Sequence, residues 1–178
     1  TSGNNVTLKD ANALNLGAST VSGNLVITTA NGAAGLLDFA GVVTVGGNLT
    51  LTPTGAISQS TGTLGVTGNT TITAAGLNVV LDKSNNFVGP VAVTGLDVTL
   101  TDANVIDLGA STVTGNLSVT AGGAVTDSGT LAITGTSTIS ASGQPVTLDS
   151  PANNFVGAVG VTGAAVTLID VGAIDLGA

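Results

Sequence analysis

Ten aspartates carry all the negative side-chain charge of this 178-residue chain, and its only cations are Lys9 and Lys83. His, Cys, Met, Trp, Tyr, Arg and Glu do not occur. Serine-hydrolase triads, cysteine nucleophiles and zinc centres all need residues from that missing set. What remains for catalysis is a pair of carboxylates. Asp102 with Asp107, and Asp170 with Asp175, have the residue type that glycoside hydrolysis uses. A third copy of the same phrase carries Asp10 but has Asn15 in place of the second acid. The pair is therefore not kept within the chain, and turn aspartates that accept backbone N–H groups are the favoured reading. Calcium is the other use for such oxygens. Asp82, Asp149 and the segment 97–102 could supply them, but the glycine-rich nonapeptide that binds calcium between coils is absent. No catalytic, cofactor or metal residue is assigned, and the chain reads as a non-enzyme.

Threonine offers a surface rather than a reaction. Thr50 and Thr52, Thr71 and Thr73, Thr99 and Thr101, Thr120 and Thr138 recur at the outward positions of one repeated strand. A flat ladder of this kind resembles the ice-binding face of some solenoid antifreeze proteins. Thr also suits any exposed strand position by propensity and cross-strand contact. Lys9, Val26 and Ile169 interrupt the array. Ice binding is accordingly the alternative function rather than the leading one.

The elements that would position these residues follow from composition. The 43% apolar content is Val, Leu, Ile and Ala with three Phe, interleaved with Thr, Ser, Gly and Asn. That mixture favours pleated backbone, and most good helix formers are scarce. A net charge of −8 disfavours nucleic acid, which demands a cationic footprint. It equally disfavours an anionic membrane surface. No apolar run reaches the roughly 18 residues of a spanning helix, so membrane insertion is not expected.

Self-similarity decides the architecture. A phrase of a β-branched residue, Thr, Ser or Gly, then Gly and an alternating strand occurs eight times. Its glycines are Gly3, Gly23, Gly47, Gly68, Gly95, Gly115, Gly135 and Gly163. Their spacings of 20, 24, 21, 27, 20, 20 and 28 conceal three kinds of unit. The first begins at Val6, Val98 and Val166, the second at Asn48 and Asn116, and the third carries NNFVG at 85–89 and 153–157. Val98 to Val166 and Asn85 to Asn153 are both 68 residues apart, which defines a super-repeat. Residues 24–47 stand before it as one extra unit.

Within residues 116–135, Leu117 and Val119 alternate with Ser118 and Thr120, and turn residues follow at Gly122-Gly123 and Ser128-Gly129. Three strands and three corners fit in about 20 residues. Roughly five inward aliphatics give about 10 kcal/mol, against at least about 20 kcal/mol of backbone entropy. One unit cannot fold alone, so units must stack, each strand pairing in parallel with its equivalent in the next. The expected fold is all-β: a single-stranded right-handed parallel β-helix, or β-solenoid, of about eight coils of 20–28 residues. It would be one segment spanning 1–178, roughly 38 Å long. The surplus of the NNFVG units is expected to be a loop or a fourth short strand, with Phe87 and Phe155 plugging the core. Leu49, Ile72, Leu100, Val119, Ile139 and Leu168 are expected to line one column. The chain starts and stops in mid-pattern, as a piece of a longer repeat protein would, and its ends should associate.

The phrases at 102–135 (DANVIDLGASTVTGNLSVTAGGAVTDSGTLAITG) and 148–163 (LDSPANNFVGAVGVTG) resemble filamentous-haemagglutinin-like bacterial exoproteins. The resemblance implies a β-helical shaft of a large secreted surface adhesin, displayed at the bacterial cell surface and contributing to cell-surface or biofilm adhesion. Partners would be glycans or proteins of a host or cell surface, together with end-to-end or lateral self-association. No family binding residue maps onto a motif here.

Overall fold

The computed structural model describes residues 2–177. Alternation writes the strands. Leu25–Thr29 and Val98–Asp102 each bury every second residue and leave the others half-exposed, as a half-buried pleated strand requires. Gly, Asn, Ser and Asp residues turn the chain between strands. Every strand pairing among the described residues is parallel, and each partner lies one turn on, so the chain is a parallel β-solenoid of about eight coils. A single 3-10 turn, Gly32–Ala34, is the one helical piece among the described residues.

Each turn lays strands on three sides. The first side begins with Val6–Asp10, Leu25–Thr29, Leu49–Thr52, Thr70–Thr73 and Val91–Gly95. The second begins with Leu14–Leu16, Leu37–Phe39, Ile57–Ser58 and the early part of Val79–Phe87. The third begins with Ser2–Gly3, Ser19–Val21, Val43–Val45, Leu64–Val66 and the late part of Val79–Phe87. In later turns the second side carries Val98–Asp102, Leu117–Ala121, Ser137–Ser140 and Val159–Thr162. Between the second and first sides the chain then lays Ile106–Leu108, whose Leu108 meets Val91 at the edge of the first side. Val125–Asp127, Val146–Leu148 and Val166–Leu168 follow it, and this row is the third side of the later turns. The first carries Ser111–Val113, Leu131–Ile133 and Asn154–Phe155.

One aliphatic interior runs through all turns. Leu49, Ile72, Leu100, Val119 and Ile139 are at most 1% exposed, and half-buried Leu168 packs against the same cluster. Phe39, Phe87 and Phe155 are all buried in it. The common interior is as expected; a common ladder is not. Leu49 and Ile72 stand on the first side, Leu100, Val119 and Ile139 on the second, and Leu168 on the third.

The NNFVG units cause this. From Gly68 to Gly95 the chain lays Thr70–Thr73, then both parts of Val79–Phe87, then Val91–Gly95: four sides instead of three. Leu81 and Asn85 flank an irregularity that carries this strand around a corner. From Gly135 to Gly163 the order Ser137–Ser140, Val146–Leu148, Asn154–Phe155, Val159–Thr162 does the same. The surplus residues are thus an extra side, and each such unit moves the phrase on by a third of a turn. Residues 24–47 show the contrast. They carry the same F-x-G-x-V core, at Phe39, Gly41 and Val43, but spend residues on the 3-10 turn and complete only three sides.

Candidate functional site

The threonine positions fall on two sides, not one. Thr50 and Thr71 are register neighbours on the first side, with Val26 before them and Ala92 after. Beside them Thr28 pairs with Thr52, their hydroxyls 2.9 Å apart, and Thr73 pairs with Thr94. Thr99 and Thr138 flank Ser118 on the second side, while Thr101 pairs with Thr120. All eight face outward, half-buried or exposed. The phase shift at residues 79–95 divides them into two short arrays.

The corners hold a second regular feature. Asn5, Asn24 and Asn48 each accept, through Oδ1, the backbone N–H of the corner residue one coil on: Asn24 at 2.8 Å, Asn48 at 2.8 Å and Asn69 at 2.9 Å. The next corner residue is Pro90, which has no N–H to offer, so the ladder stops. It resumes at another corner, where Asp97 accepts from Asn116 at 2.8 Å and Asn116 from Thr136 at 2.9 Å. The corner amides thus bind coil to coil and follow the shifted phase.

The NNFVG units carry buried polar groups. Asn85 is fully buried. Its Oδ1 accepts from Gln59 Nε2 and Leu64 N at 2.8 Å each, and its Nδ2 donates to Gln59 Oε1, Leu81 O and Thr101 O at 3.1 Å. Asn153 repeats the role, with Oδ1 accepting from Leu131 N at 2.8 Å and Nδ2 donating to Asp127 Oδ2 at 2.6 Å. Sequence reasoning placed only the Phe of this motif inside. The available signal was the recurrence of Asn two residues before Phe, as invariant between the copies as the Phe itself.

The first aspartate of each carboxylate pair acts on the same motif, while Asp107 Oδ1, in the second position, is buried without a hydrogen-bond partner. Asp102, 2% exposed, accepts the N–H of Phe87 at 2.7 Å and that of Asn104 at 2.7 Å. Burial pushes its carboxyl above the usual range, against the pull of those two bonds. Asp170 likewise accepts from Phe155 N at 2.8 Å and Gly172 N at 2.9 Å. Asp10 takes the local half of the pattern, accepting from Asn12 N. These carboxylates clasp the preceding coil and their own turn. Asp38 is a different case: burial works to raise its pKa, but the Ser60 and Ser58 hydroxyls and the Ser60 N–H outweigh it and hold the carboxyl below the usual value. Among the described residues no three carboxylates come together to hold a metal ion.

A hollow of about 280 Å³ lies at one end of the stack, lined by Val159, Val161, Val166, Leu168, Leu176 and Gly177.

No curated protein and no solved structure matches the chain. A family model described as repeats of unknown function (DUF5649) matches residues 3–35, 31–94 and 95–162. The last two matches meet between Thr94 and Gly95, where the structure completes its first four-sided unit. With nearly the whole solenoid covered by matches that follow its repeat, the chain belongs to this family of repeats.

Proposed function

We propose that this chain is a shaft segment of a large secreted bacterial surface adhesin, holding adhesive parts away from the cell and contributing to cell-surface or biofilm adhesion. The observation that carries the reading is the continuity of one aliphatic interior through successive parallel turns. A solenoid of this kind gains length by adding units, with no change in cross-section. The resemblance of the phrases at 102–135 and 148–163 to filamentous-haemagglutinin-like exoproteins supports the same role. Rows of outward Thr and corner Asn offer weak, repeated polar contacts to glycans or proteins of a surface. The −8 charge disfavours nucleic acid as a partner, and the first aspartate of each pair accepts backbone N–H groups. Antibodies raised against the chain should label intact cells of the source bacterium, and deletion of its coding segment should lower adhesion. Antigen confined to the cell interior would contradict the proposal.

Ice binding is the second reading, carried by the side that Thr50, Thr52, Thr71 and Thr73 share. The array is only a few rungs long before Ala92 interrupts it. Thermal hysteresis in a cooled solution would establish ice binding; freezing at the colligative point alone is the expected result.

A further inference from the structure

The corner asparagines carry a pattern that the amide ladder does not use. Of the fifteen asparagines in the chain, four have Ser or Thr two residues on: Asn5, Asn48, Asn69 and Asn116. The residue between is never Pro, and all four stand at a corner that opens a strand. Asn24 and Asn78 hold like places, but Val26 and Val80 fill the hydroxyl position. We propose that Asn48, Asn69 and Asn116 are sites of N-linked sugar, since Asn-x-Ser/Thr with x other than Pro is the tripeptide that this modification reads. The inference goes beyond the shaft reading and requires only that the chain meets an enzyme carrying an activated sugar.

Strand geometry presents the tripeptide whole. Side chains alternate between faces, so Asn and the residue two on point the same way. Leu49, Thr70 and Leu117 are buried between them. Asn48, Asn69, Asn116 and Thr71 are exposed, and Thr50 and Ser118 are half-buried. The ladder also leaves the reacting atom free. Asn48 Oδ1 accepts the N–H of Asn69 at 2.9 Å, and Asn116 Oδ1 accepts the N–H and the hydroxyl of Thr136 at 2.9 Å each. Neither Nδ2 makes a hydrogen bond among the described residues. A sugar on Nδ2 keeps the amide oxygen in place, so the bond from coil to coil survives the modification. Asn69 is freer still. The next corner residue is Pro90, which has no N–H, and the Asn69 carboxamide bonds to nothing among the described residues. In the transfer, Nδ2 bonds to the anomeric carbon of the sugar while the bond from that carbon to the donor's phosphate oxygen breaks. The phosphate leaves with the electron pair and the amide proton passes to a base of the enzyme.

Asn24 and Asn78 are exposed and serve as internal controls. Peptide mass spectrometry of the full-length protein from its source cells should find sugar-residue mass increments on Asn48, Asn69 and Asn116, and none on Asn24 or Asn78. Thr71→Val should erase the increment at Asn69 alone, and Thr71→Ser should keep it. Val26→Thr gives Asn24 the missing hydroxyl and should create a new modified corner. Bare asparagine at all three positions overturns the proposal. Equal modification of Asn24 in the unaltered chain does so too, because exposure rather than the tripeptide would then be read. Sugar found on Thr50, Thr71 or Ser118 in place of the asparagines is the third contrary result.

Discussion

Thr70 and Ser137 occupy the same place in two units, fully inside the solenoid, where Leu25, Leu49 and Leu117 stand in others. The hydroxyl oxygen of each is buried without a hydrogen-bond partner. An unpaired buried hydroxyl costs more than the same volume of carbon. Thr70→Val should therefore stabilise the chain by about 1 kcal/mol, read as a higher urea midpoint with an unchanged slope. Asn85 is the opposite case, a buried amide with every group satisfied. Asn85→Ala strands Leu64 N and the Gln59 amide, and should cost about 3 kcal/mol or more. Charge makes a third test. The folded-state pKa of Asp38 is lowered, so its contribution to stability is present above the unfolded carboxylate value and is lost as pH falls through the folded one. Unaltered protein should be more stable than Asp38→Asn at neutral pH, and the gap should close on acidification. Asp102 carries the reverse sign: its raised pKa means that folding becomes less favourable as pH rises from the unfolded value through the folded one. A gap for Asp38→Asn that widened in acid would contradict the assignment.

Corners, not strands, set how closely the units approach. A Cβ on Gly135 would come within 2.4 Å of the Gly115 carbonyl oxygen, and one on Gly68 within 2.7 Å of the Gly47 carbonyl carbon. Gly135→Ala should force two coils apart and cost about 2 kcal/mol, measured by denaturant unfolding; an unchanged midpoint would refute close approach at this corner. This column of glycines was legible in the sequence, because it recurs with the phrase. Strand character, inward and outward faces, and parallel stacking were legible for the same reason: period-two alternation and turn residues are local, and the entropy of a lone unit forces stacking. The side on which a strand lands was not. It depends on whether residues between two strands curl or extend, and residues 30–36 and 74–78 differ little in polarity while doing different things. The first contain a 3-10 turn, with Asn31 and Gly32 at positive φ; the second turn at Gly76 and release the chain into Val79–Phe87. The threonines form two arrays rather than one because the phrase changes side while the rungs follow the turn.

A super-repeat of 68 residues holds three turns and a third, so the molecule is a screw laid over a screw. Val6, Val98 and Val166 open equivalent units on the first, second and third sides. Surface features tied to the phrase, such as the corner amide ladder and the Thr rows, consequently face a new direction after each four-sided unit. Equivalent units therefore face three directions along the chain, an arrangement compatible with the proposed shaft. The most direct measurement of this architecture is disulfide trapping between outward positions. Val80 and Thr99 are register partners on the second side, whereas Thr71 and Thr99 are equivalent in the phrase but lie on different sides. Neighbouring strands stand about 4.8 Å apart, within disulfide reach. The Val80→Cys/Thr99→Cys chain should close an internal disulfide readily under mild oxidation, and Thr71→Cys/Thr99→Cys should not. The reverse outcome, with Thr71 joined to Thr99 and Val80 left free, would mean that the NNFVG unit is a loop and that the phrase never changes side.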